Sequence, residues 1–186
     1  MKLYEAGVRY TKEEADARSV TVNVEGGGAE QLVFTTEEME QRKWAWVYDE
    51  LARQGQQKER VKVVARITSW LNSQGAPYAY CAEFIVAEAD RTGVSPYLCC
   101  AVGEAESSSG HAYPSGSFNA WGMASGAIRY LSWEDAIKHW YDNADMRWPD
   151  AQNGYDLENS ATPYCDTNRE QYASNVTGLC DSIAGL

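Results

Sequence analysis

The chain has 186 residues and a mass of 20.7 kDa, enough for one globular domain with a small appended segment and too short for two full-sized domains. Hydrophobic residues make up 44% and charged residues 23%, so the chain can build a real core, and wholesale disorder or a fibrous repeat is excluded. A net charge of −11 and a pI of about 4.6 argue against a nucleic-acid partner, whose phosphates need clustered Lys and Arg, and set long-range repulsion against anionic polymers.

Residues 19–25 alternate through Val20, Val22 and Val24, and residues 31–35 hold Leu32, Val33 and Phe34, with Gly26, Gly27 and Gly28 between them. Two short strands joined by a glycine turn account for this pattern. Thr35 and Glu38 have the spacing of a capping box, and the amphipathic run behind them, with Met39, Trp46, Val47 and Leu51, predicts a helix to about residue 53. Trp44 and Trp46 fall on different faces of it, one suited to a core and the other to packing on a neighbour. The polar stretch 54–58 contains Gly55 and breaks the pattern, so a boundary is expected near residue 56, with an appendage over residues 1–56 and a main domain over residues 57–186.

From Val61 the chain reads as mostly helical. Val63, Ile67, Trp70 and Leu71 keep helical spacing until Gly75, and Pro77 opens a second helix with a stripe of Tyr78, Cys81, Ala82, Ile85 and Ala89. Gly93 ends it. Ser95 and Pro96 start a third helix whose apolar stripe is Leu98, Ala101, Val102 and Ala105, and residues 107–116 abandon the rhythm. Ser132 and Asp135 form another capping box, ahead of a helix from Trp133 to about Asn143 with Ala136, Ile137, Trp140 and Tyr141 on one side. Residues 148–162 read as loop. A last helix over about 169–184 places Tyr172, Val176, Leu179 and Ile183 inward.

Seven Trp and twelve Tyr against three Phe favour rings with a polar handle, which suit a surface that stacks on sugars as well as a core. Five Cys is an odd count, so at least one has no partner in the chain. Cys99 and Cys100 are neighbours and poorly placed to bond to each other, and Cys165 and Cys180 are the pair an oxidising compartment would join. There is no CxxC, and neither His111 nor His139 has a ligand at metal spacing, so no metal site and no cofactor are expected. No apolar run reaches the roughly 18 residues of a membrane-spanning helix. Residues 1–10 lack the apolar stretch of a secretory signal, which points to a cytosolic product, a mature fragment or a protein exported by another route.

The chemistry is expected at the end of the third helix, where Glu104 and Glu106 border its apolar stripe. A half-buried carboxyl at a helix C-terminus is disfavoured as an anion by desolvation and by the helix dipole, so its pKa is expected to rise. A carboxyl that keeps its proton near neutral pH can donate it to a leaving-group oxygen, as glycosidic bond cleavage requires. Glu134 and Asp135 are the nearest other carboxylates, yet Asp135 has a capping role and Glu134 suits a helix N-terminus. Cys99 reads as a small core residue, and Gly26 to Gly28 as a turn.

An ordered set of motifs follows the acid. Gly93-Val94-Ser95-Pro96-Tyr97-Leu98, Glu106-Ser107-Ser108-Ser109-Gly110, Gly116-Ser117-Phe118-Asn119-Ala120-Trp121-Gly122 and Tyr130-Leu131-Ser132-Trp133-Glu134-Asp135-Ala136-Ile137 together resemble the lysozyme-like superfamily. Within it they are most similar to soluble lytic transglycosylases and bacterial N-acetylglucosaminidase-type domains. The resemblance covers about residues 61–186, including the tail from Tyr164-Cys165 through Tyr172, Val176 and Ile183. It implies a mostly α, lysozyme-like (α+β) domain with Glu106 as the catalytic general acid. It also implies substrate contacts from Ser107, Ser108, Asn119, Trp121, Gly122 and Tyr130. Ser107 would orient the acid or bond the last helix carbonyls, and Trp121 would line the groove or fill the core. Ser109 departs from the aromatic that often follows Glu-Ser-Ser, and the Gly-Leu-Met-Gln sequence of many transglycosylases survives only as Gly122-Met123.

The implied substrate is the MurNAc–GlcNAc β-1,4 bond of peptidoglycan glycan strands. A transglycosylase would use one Glu as acid and then base, with a 1,6-anhydro product. A hydrolase would need a second group about 5 to 9.5 Å away. The single-Glu mechanism is favoured. The alternatives are a hydrolytic muramidase or glucosaminidase, and an inactive module that binds glycan or scaffolds an assembly. A phage or mobile-element product, virion-associated or released by lysis, fits the missing signal, and residues 1–56 would then face a virion or assembly partner.

Overall fold

The structure is a computed structural model that describes residues 19–24, 28–33, 36–165 and 167–186. The chain is mostly helical and divides into two compact units, Met1–Glu59 and Arg60–Leu186.

In the first unit, strand β1 (Ser19–Val24) pairs antiparallel with β2 (Gly28–Val33), Val20 opposite Leu32 and Val22 opposite Glu30. Gly26, Gly27, Phe34 and the Thr35 half of the capping box lie outside the described residues, as do the side chains of Met39 and Trp44. Helix α1 (Thr36–Ser73) begins in this unit. Trp46 and Val47 are half-buried, whereas Leu51, expected on the same apolar face, is exposed.

The helix break expected at residues 54–58 does not occur, and α1 passes through Gly55 without interruption. One interior glycine costs a helix only about 1 kcal/mol, and the Gln, Lys, Glu and Arg around it are good helix formers. Gly55 meets no other atom within 4 Å, so no packing demand opposes a continuous helix there.

The second unit starts within α1, whose last turns bury Ile67, Trp70 and Leu71 before Gly75 ends it with φ 67°. Pro77 does not open a helix, because Tyr78 takes a non-helical backbone (φ −105°, ψ 19°). A single 3-10 turn, Ala79–Cys81, intervenes before α2 (Ala82–Thr92). Gly93 closes α2 in the left-handed region, donating its N–H to the Ala89 carbonyl. Helix α3 (Pro96–Ser107) follows, with Pro96 in its first turn. The Ser132 hydroxyl caps α4 (Trp133–Arg147) by accepting from the Asp135 N–H.

The stretch read as loop contains one short helix, α5 (Gly154–Glu158), opened by a capping box between Asn153 and Asp156. Its first residue has to be glycine, since a Cβ there would run into the Ala173 carbonyl of the last helix, α6 (Arg169–Ala184).

Helix α3 is the centre of this unit and packs against α2, α4 and α6. Leu98, Cys99, Cys100, Ala101, Val102 and Gly103 are all buried, so the helix is enclosed on every side over this stretch, which a one-stripe reading underestimates. Ile85 from α2, Ile137, Trp140 and Tyr141 from α4, and Val176 and Ile183 from α6 complete the core around it. Each such side chain contributes about 1.5 to 3 kcal/mol of burial. All five cysteines are free thiols, and Cys165 is not joined to Cys180. No helix among the described residues is long and apolar enough to cross a membrane.

Candidate active site

The fourth side of α3 opens at its C-terminus. After Gly103 the neighbours no longer surround the helix, and Ala105 and Glu106 are exposed while Glu104 is half-buried. Two expectations are corrected here. Ala105 does not extend the buried stripe, and Glu106 stands in solvent contact at the helix end instead of half-buried at its border.

The three serines end the helix. The Ser107 hydroxyl donates to the Gly103 carbonyl at 3.0 Å and accepts the Gly110 N–H at 2.9 Å, so it bonds the last helix turn. Ser108 takes the left-handed conformation of a helix cap and donates its N–H to the Glu104 carbonyl. Ser109, fully buried, donates its hydroxyl to Glu104 Oε2 at 2.6 Å. Glu104 is thereby tied back, and Glu106 is left to face outward.

Glu106 is held by a hydrogen bond and has close space on its other side. Its Oε1 accepts a hydrogen bond from the Tyr172 hydroxyl of α6 at 2.8 Å. The Tyr172 ring is stacked on Tyr164, with centroids 5.8 Å apart and planes 11° from parallel, and Tyr164 in turn packs on Trp148. Burial first, and then the neighbouring Tyr164 and the charge of Glu106, push the Tyr172 phenol well above its ordinary range, so it stays a proton donor. On the other side lies Gly122, with φ 65°, where an added Cβ would come within 3.1 Å of Glu106 Oε2. The left-handed backbone favours glycine at this position, and a side chain there would need the carboxylate to shift by a few tenths of an ångström.

Glu106 borders a cleft of about 650 Å³. One stretch of its wall is the turn from Trp121 to Ser125, another is the face of α4 carrying His139, Asn143 and Arg147, and Trp148 and Tyr164 also line it. Asn119 organises the first wall without facing the cleft. Its side-chain amide donates to the carbonyls of Met123 and Ile128 at 3.0 and 3.2 Å, and its Oδ1 accepts the Met123 N–H at 2.9 Å. Those three bonds fix a segment in which Ala124 and Ser125 both have positive φ. Trp121 belongs to core and cleft at once. Its ring is 1% exposed and donates from Nε1 to the Cys99 carbonyl, while one edge lines the cavity.

Of the residues singled out from sequence, Glu106, Trp121 and Gly122 meet at the cleft. Ser107, Ser108, Asn119 and Tyr130 are not among the residues lining it. Tyr130 reaches it indirectly, its hydroxyl lying 2.7 Å from Nδ1 of His139. Burial pushes the Tyr130 phenol up to about 12. Sequence reasoning missed His139, Asn143 and Arg147 as a cleft wall, and it placed Tyr172 inward without seeing its hydroxyl on the acid.

The other carboxylates are elsewhere. Asp135 is exposed at the start of α4, and Glu134 sits against Cys81, whose thiol burial, with help from that charge, pushes up to about 12. Among the described residues lining the cleft, Glu106 is the only carboxylate. No group of three His, Cys, Asp or Glu among the described residues is placed to hold a metal ion. Comparison of the chain with protein families, with curated proteins and with solved structures returned no match.

Proposed function

We propose that residues 57–186 form a lysozyme-like module that cleaves the MurNAc–GlcNAc β-1,4 bond of peptidoglycan glycan strands, with Glu106 as its single catalytic carboxyl. The observation that carries this reading is the setting of Glu106 at the rim of a 650 Å³ cleft, fixed by Tyr172 and free on the side that faces the cavity. A cleft of this size takes a few sugar rings, and its mix of aromatic edges with amide, imidazole and guanidinium groups suits saccharide hydroxyls. A bound strand would cover the exposed face of the carboxyl, removing the water that surrounds it in the free protein.

Protonated, Glu106 would donate to the glycosidic oxygen as the bond to the anomeric carbon breaks. The resulting carboxylate would then take the proton from the C6 hydroxyl of the same muramyl residue as that oxygen closes onto the anomeric carbon. The product is a 1,6-anhydro sugar and no water is consumed. The positions of Glu134 and Asp135 away from the cleft favour this route over a two-carboxylate hydrolase.

Glu106→Gln keeps shape and hydrogen bonding but removes the proton. Clearing of purified cell wall should fall by about 10²- to 10⁴-fold, the range associated with a general acid. Mass spectrometry of the muropeptides released by the native protein should show anhydro ends, and reducing ends alone would reassign the chemistry to hydrolysis. Equal clearing by both proteins would remove Glu106 from the mechanism. The solvent exposure of Glu106 favours a second reading, a glycan-binding module without catalysis, and strand binding with no clearing by the native protein would establish it.

A further inference from the structure

Three polar residues of α4 at four-residue spacing, His139, Asn143 and Arg147, line the cleft. Such spacing stacks side chains on one helix face at about 6 Å per step. The adjoining face of the same helix is core, with Ala136, Ile137, Trp140, Tyr141 and Ala144 buried, and Trp140 lines the same cleft. A polar stripe at the border of a buried face is ordinarily left to solvent, but this one lines a cavity that Glu106 also lines.

The three residues are not equivalent. His139 is held by Tyr130, whose phenol keeps its proton and can donate it to Nδ1, leaving the imidazole proton on Nε2. Asn143 spends one amide hydrogen on the His139 carbonyl at 2.9 Å and retains its amide oxygen. Arg147 makes no ion pair among the described residues. Its guanidinium lies 5.9 Å from the centre of the Trp148 ring, and it is the only Arg or Lys lining the cleft. In a chain of net charge −11, an arginine over a tryptophan ring beside a cavity, with no ion pair among the described residues, is a prepared receptor for a carboxylate.

We infer that Arg147 forms a carboxylate-reading subsite in the cleft, with Asn143 and His139 on the same helix face as hydrogen-bonding groups for saccharide hydroxyl and acetamido groups. The inference rests on the reading of the cleft as a glycan site and names which strands it takes. They are saccharides that carry acid substituents, in preference to neutral β-1,4 polymers of the same backbone. The subsite also offsets the repulsion that the chain's overall charge imposes on an acidic polymer. Two sources supply that chemistry, the lactyl carboxylate of a muramyl residue stripped of its peptide and the carboxylates of an attached peptide stem.

The test is calorimetric binding to Glu106→Gln and to Glu106→Gln/Arg147→Gln, so that cleavage does not interfere. Three probes are used: peptide-free glycan strands, strands carrying uncross-linked stems, and neutral N-acetylglucosamine oligomers. Loss of the charge-assisted pair should weaken binding of the acidic probe by about tenfold and of the neutral one by less than twofold. The larger loss on peptide-free strands assigns the lactyl group, and the larger loss on stem-bearing strands assigns the peptide. Equal weakening on all three probes, no change, or no binding of any probe would overturn the subsite. Arg147→Lys in the same background should recover part of the loss, because charge returns without the planar fork. Failure of the catalytic reading registers separately, as cell-wall clearing by Glu106→Gln equal to that of the native protein.

Discussion

The two halves of α3 are one continuous helix put to opposite uses. From Leu98 to Gly103 every side chain is enclosed, while Ala105 and Glu106, a few residues on, are in solvent. The enclosed half is immobilised by α2, α4 and α6, and the emergent half inherits that rigidity without being buried. A carboxyl can therefore be held in place from behind, by the helix it belongs to, with the Tyr172 hydroxyl bonded to it in front.

That division can be broken from its buried side first. Leu98→Ala should destabilise the protein by about 2 to 5 kcal/mol in denaturant melts, the range for a fully buried leucine whose cavity collapses only in part. Glu106→Gln should leave the same melts within about 0.5 kcal/mol of the native protein. A large loss from the second variant would mean that the emergent half is structural after all. Next in size is Gly103→Ala, at the junction of the halves, where an added Cβ would lie 2.6 Å from Tyr78 Oη and 3.4 Å from Trp121 Nε1. Both rings are buried and have little room to yield, so a loss of about 1 to 3 kcal/mol is expected from overpacking.

The smallest effect sharpens the emergent side. Tyr172→Phe keeps the ring and its stack on Tyr164 but deletes the hydroxyl on Glu106. Stability should change by about 1 kcal/mol or less, and kcat for strand cleavage should drop about tenfold with KM unchanged. A parallel rise in KM would show that the phenol contacts the strand and does not merely position the acid.

Much of the second unit was legible because its helices are punctuated. Gly75, Gly93, the Ser95-Pro96 pair and the Ser132 cap all stand at the observed ends, and the final helix begins and ends where its apolar spacing does. Gly55 misled because an isolated glycine is a weak breaker when good helix formers flank it. Helix α5 was missed because five residues hold too little periodicity to register, although Asn153 and Asp156 carry a capping signature.

The acid itself could be picked out from the residues around it, but its surroundings could not. Periodicity assigned Glu106 to the edge of a stripe, whereas its exposure depends on where three other helices stop covering α3. The α4 wall is harder still to read. His139, Asn143 and Arg147 have the spacing of any solvated helix face, and only the tertiary fold turns that face toward a cavity.

Asn119 has a consequence for the thermodynamics of ligand capture. Because its amide bridges residues 123 and 128, the segment between them is already ordered before any ligand arrives. Little conformational entropy remains to be surrendered there on association, so affinity at this wall should scale with the contacts made and not with a folding step.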